Sequence, residues 1–215
     1  MVRKIIYLFC ILIFCIDFSN AQDKLYFFYP KNDSTLIGVK NDKGKIIIPA
    51  NYPHFGNVGN NEIINTPTIE FYFSKRDTTN KKNQDHSVAI SMGAVYNRDG
   101  KLLYLPLFYD NGPDYWSNGI RRYVENGKVG LVDSTGNKLT KAKWDMVWPF
   151  DEDNQAQVFI GNLKQDYRNG RDFPTITGSA ITYFINTRGK RISSKKSIKF
   201  ERVGPHLVKP KDKKI

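Results

Sequence analysis

Polar and apolar residues alternate in short runs along most of this chain. Leu25 to Tyr29, Ile69 to Ser74, Val88 to Tyr96 and Ala180 to Ile185 are rich in β-branched and aromatic residues and read as strands. No window of helical length carries apolar residues at i, i+3, i+4 and i+7, and Gly and Pro recur too often for long helices. Three polar segments, 56–62, 75–86 and 165–172, read as surface loops. The predicted fold class is therefore all-β, with little helix beyond the N-terminal leader.

One local pattern recurs four times. Apolar residues lead to Asn or Asp, then two polar residues and Gly: Asn41 to Gly44, Asn97 to Gly100, Asp133 to Gly136 and Asn186 to Gly189. Lys follows the glycine in three of the four. Asn or Asp at the first position of a type I turn bonds back to the local backbone. Glycine at the fourth accepts the positive φ that returns the chain into a second strand. The pattern predicts four hairpin bends, separated by 56, 36 and 53 residues and hence by insertions of unequal size.

The best unit runs from Tyr115 to Phe159. It contains Asn126-Gly127-Lys128, then Gly130, Asp133 and Gly136, then Trp144-Asp145. This order resembles the WG-repeat family, whose units carry a turn, a Trp-Gly pair, an Asp-x-x-Gly turn and an aromatic–Asp pair. Val129 stands where the family often has tryptophan. Weaker units begin at Ile37-Gly38, at Gly93 (with Tyr109-Asp110 in the aromatic–Asp place) and at Tyr183. The resemblance implies successive antiparallel β-hairpins stacked into an irregular array, each covering its neighbour's apolar face. It implies no catalytic residue, and a binding or scaffolding role.

The ends of the chain bear on location. Arg3 and Lys4, the uncharged stretch Ile5 to Ile16, and Ser19-Asn20-Ala21 before Gln22 make residues 1–21 an export signal. Its apolar run is too short to span a bilayer, and no other segment is long enough after its removal. The expected location is exported, in the periplasm or outside the cell. Cys10 and Cys15 leave with the leader, so the mature chain has no thiolate, disulfide or Cys-ligated metal. Residues 22–194 are then the β-hairpin domain, and 195–215 a basic C-terminal segment whose last residues are too polar to pack.

Charge narrows the partners. The net charge is +12, or +11 without the leader, and residues 195–215 hold a net +6 of it. That segment either keeps the protein soluble or contacts an anionic envelope. Nucleic acid is not expected as a partner, because the basic residues are not grouped with stacking aromatics on any known motif.

Catalytic patterns are missing. His54, His86 and His206 have no second ligand at metal spacing, and neither a Gly-x-Ser-x-Gly elbow nor a phosphate-binding glycine loop occurs. Asp151 to Asn154 lacks the glycine of a calcium loop and reads as an acidic turn. Asp110 and Asp114 bracket Gly112-Pro113 and read as part of a turn between hairpins. No cofactor or metal is expected, and the chain is not read as an enzyme.

The candidate binding surface is Tyr115, Trp116, Arg121 and Arg122. Aromatics in a turn-rich loop are either binding anchors or closures of the gap between two hairpins. Trp144 and Trp148, flanking Val147, read as core. The expected partner is a protein or an envelope polysaccharide, the latter reached through loop aromatics, Arg121, Arg122 and the tail lysines.

Overall fold

A computed structural model describes residues 23–54, 58–74, 89–109, 112–166 and 175–200. The expected export signal, the 75–86 segment, Asp110 and the residues beyond Phe200 lie outside them. The described residues form antiparallel strands and turns, with no helix among them.

Four units follow one another, each a strand, a second strand, an Asx–Gly turn and a third segment. Unit 1 is β1 (Leu25–Phe28), β2 (Leu36–Asn41) and β3 (Ile46–Pro53), with the short β4 (Ile63–Ile64) added beside β1. Unit 2 is β5 (Thr68–Ser74), β6 (Met92–Asn97) and β7 (Leu102–Pro106). A two-stranded insertion follows, β8 (Phe108–Tyr109) and β9 (Gly112–Pro113). Unit 3 is β10 (Ile120–Glu125), β11 (Lys128–Asp133) and a segment bridged to β11 at Lys138 and Trp144 that ends in β12 (Met146–Val147). Unit 4 is β13 (Gln155–Asp166), β14 (Thr175–Asn186) and β15 (Lys196–Phe200). Strand β15 lies beyond the expected domain boundary at residue 194. Its Ile198 and Phe200 flank Lys199, and Phe200 stacks edge-on against Phe159, so a basic segment still supplies apolar side chains to one face of the sheet.

The third segment of a unit leads into the first strand of the next. β7 pairs with β10, and β12 with β13, both antiparallel. Between units 1 and 2 the link is side-chain packing, with the Tyr52 ring stacked on Phe71 at 4.3 Å. Core clusters accordingly cross unit boundaries. Ile69 and Phe71 of unit 2 pack with Val39 and Ile48 of unit 1, and Leu131 and Trp144 of unit 3 pack with Val158 and Ile185 of unit 4. Trp144 is fully buried and Trp148 partly so.

All four bends are built alike. At Asn41 the side-chain oxygen accepts the amides of Lys43 (3.1 Å) and Lys45 (2.8 Å), while Gly44 N–H donates to the Asn41 carbonyl. The same bonds recur at Asn97, Asp133 and Asn186. Gly44, Gly100, Gly136 and Gly189 have φ of 78°, 79°, 88° and 70°. The acidic turn at Asp151 is a fifth copy. Asp151 accepts the Gln155 amide at 2.8 Å, and Asn154, with φ of 60°, takes the glycine's place.

Candidate functional site

The candidate residues lie between the β8–β9 insertion and the first strand of unit 3. Asn118 and Gly119, both at positive φ, make a two-residue turn that brings Ser117 opposite Ile120. Asp114, Tyr115 and Trp116 therefore lead into β10 from outside the five-stranded sheet. Sequence reading places all four candidates on one binding surface; the fold separates them.

Tyr115 and Trp116 are 52% and 41% exposed. They do not close a gap between hairpins. Arg121 and Arg122 are only 4% and 3% exposed, and this corrects their assignment to a charged surface. The reason is that every residue from Ile120 to Val124 is buried, since β10 is covered on both faces and flanked by β7 and β11. A charge so placed needs a partner.

Each arginine has one. The Arg122 guanidinium pairs with Asp114, its Nε donating to Oδ2 at 2.9 Å. Its backbone amide donates to the same carboxylate, and Nη1 donates to the Val147 carbonyl at 2.6 Å. Asp114 is 2% exposed, so a residue that reads as part of an exposed turn is the anchor of a buried ion pair. Arg121 lies 2.7 Å from Glu70 of β5, and its Nε donates to the Asp114 carbonyl.

The arginines in turn carry the aromatics. The Trp116 ring lies 5.4 Å from the Arg121 guanidinium, and the Tyr109 ring 4.3 Å from that of Arg122. Tyr109 meets Tyr115 edge-on at 5.7 Å. Tyr72 is a further exposed aromatic on this side. Partial burial and the Glu70 carboxylate push its hydroxyl pKa up, while Arg121 opposes the shift. Tyr72 and Glu70 are site residues that sequence reading missed, because they stand some 45 positions from Trp116. Nothing local signals their approach.

The arrangement is a platform and not a pocket. The cavity beneath it, bounded by Asp114, Tyr115, Arg122 and Phe150, has a volume of about 10 Å³, room for about one water molecule. Its one acid, Asp114, is ion-paired with Arg122. Among the described residues no three His, Cys, Asp or Glu side chains gather as metal ligands. His54 lies away from the platform, its ring nitrogen 3.1 Å from the Tyr29 hydroxyl. Comparison with protein-family models, with curated proteins and with solved structures finds no match to this chain.

Proposed function

We propose that this is an exported, non-catalytic β-repeat protein of WG-repeat type, which binds another macromolecule at the cell envelope. One observation carries the reading: Tyr115 and Trp116 stand in solvent on a buried base of paired arginines. Large aromatics held still lose little entropy on binding, and fully burying one contributes roughly 1.5–3 kcal/mol. The WG-type reading is supported by the fourfold recurrence of hairpin and Asx–Gly turn, with Trp144 paired across from Val129 in the best unit. The partner that suits a flat aromatic platform is a protein surface.

A second reading, an envelope polysaccharide, is favoured by Tyr72, an exposed aromatic that shares Arg121 as a charged neighbour with Trp116 and adds a face for sugar rings. In that case stacking supplies the contact. Arg121 and Arg122 act from below, and any charge-led attraction falls to the tail lysines.

The test is capture from an envelope extract at low and high salt, using the native protein and a Tyr115→Ala/Trp116→Ala variant. The platform reading expects a partner retained at high salt and lost with the variant, with the melting temperature unchanged. Equal capture by both proteins, or capture that vanishes with salt alone, overturns it. Digesting the extract with protease or with glycan-cleaving enzymes separates the two partners.

A further inference from the structure

We infer that copies of this chain associate head to tail, the Asn41–Lys45 turn of one copy docking beside Ile192 of the next.

The contact exists three times inside the chain. A Cβ built on Gly100 falls 2.5 Å from the Ile47 carbonyl of unit 1, and one on Gly136 falls 2.5 Å from Leu103 of unit 2. One on Gly189 would overlap Thr140 and crowd Trp144 of unit 3. Each turn glycine thus presses on the preceding unit, and its lack of a side chain makes that approach possible. Ile47 and Leu103 stand three residues after their own unit's turn glycine and Thr140 four, each just inside the third segment of its unit.

Among the described residues, both halves of this junction are unused at the two ends of the stack. Gly44 is exposed, and among the described residues a Cβ on it would meet nothing within 4 Å. Ile192 occupies in unit 4 the place of Ile47 and Leu103. Those two are half-buried; Ile192 is 46% exposed. Among the described residues no unit precedes the first or follows the fourth. The fifth turn makes a further point. Its residues Asp151 to Asn154 are all exposed, and it carries Asn154 at the positive-φ position. Asparagine satisfies the backbone there. The turns that press on a neighbour carry glycine, and so does the open turn at Asn41.

The joint is heterologous, so association does not close on itself and continues beyond the dimer. On the turn side Asp42 and Asp23, the latter paired with Lys43 at 3.0 Å, offset Lys43 and Lys45, while the receiving side is basic through Arg188, Lys190, Arg191, Lys195 and Lys196. With the turn side near neutral, salt changes this contact little, whereas it weakens an anion-binding surface.

Sedimentation velocity on the purified protein, over a range of concentration and salt, tests this. Gly44→Asn keeps a turn residue this chain already uses, and blocks only the docking turn. Ile192→Lys alters an exposed side chain and blocks only the receiving face. Mass is expected to rise with concentration and to change little with salt. Each variant alone should need about tenfold higher concentration or more to associate. An equimolar mixture of the two should form dimers and stop there, since each keeps one sound face. Circular dichroism melts establish that both variants are folded. A native protein monomeric throughout overturns the inference. So does association of both variants like the native protein, or a mixture that regains no dimer.

Discussion

A side-chain oxygen that takes two backbone amides replaces bonds that a turn would otherwise leave to water. Three of the four Asx–Gly turns use Asn for this, and one uses Asp133. Partial burial pushes the Asp133 pKa up, but hydrogen bonds from the Thr135 hydroxyl and the Asn137 and Thr135 amides outweigh it and hold the pKa below the usual carboxylate value. A depressed folded-state pKa gives stability that is complete above the unfolded value of about 4, and is lost as pH falls through the folded one. Asp133→Asn should thus be stable like the native protein near neutrality and less acid-sensitive below pH about 4. Urea titrations at several pH values measure this, and parallel acid sensitivity of both proteins would sink it. The Arg122–Asp114 pair yields a larger effect. Arg122→Met leaves a buried carboxylate without its cation and should cost about 3–5 kcal/mol. Asp114→Asn in the same protein should recover part of that, since the amide oxygen still accepts the backbone N–H of position 122. Equal losses in the single and double variants would show that the charge is not what the arginine neutralises.

Hairpins are the elements most legible in this sequence, because a turn is specified by four adjacent residues. Gly44, Gly100, Gly136 and Gly189 all sit where the Asx-x-x-Gly pattern puts them. The Asp151 turn escaped that pattern only because asparagine fills its glycine place. Unit 4 reads as little more than its turn, yet β13 and β14 pair over 12 residues each. Their strand signal is diluted by Gly161 and Gly178, which lie against the backbone of the opposite strand. The two roles of the turn glycine can be separated by substitution. Gly44→Ala meets only the strain of positive φ, roughly 1–2 kcal/mol. Gly100→Ala meets that strain and also the Ile47 carbonyl, so its unfolding free energy should fall further. Equal losses in chemical denaturation would mean that packing between units places no demand on the turn.

At the scale of the molecule, the stack puts charge inside and aromatics outside at the candidate site. Two adjacent arginines in a sequence of net charge +12 read as an exposed basic patch. Here they lie in a central strand, and their guanidinium groups join the β8–β9 insertion, β5 and β12 to β10. Burial makes this join specific, because an unpaired guanidinium in the same place would be strongly unfavourable. It also holds Trp116 and Tyr109 from beneath. Trp116→Ala should therefore weaken partner capture while shifting stability by under about 1 kcal/mol, as for most exposed positions. A large loss of stability would instead make Trp116 part of the core.

The sequence by itself determined the strand-rich class, the bends and the presence of two aromatics in a turn-rich loop, because these depend on residues within a few positions of one another. Tertiary structure decided which side chains meet. Glu70 reaches Arg121 across some 50 residues, and Gly100 reaches Ile47 across about the same span. Such pairs arise only when separate units stack, and a linear pattern of polarity carries no record of the distance between strands.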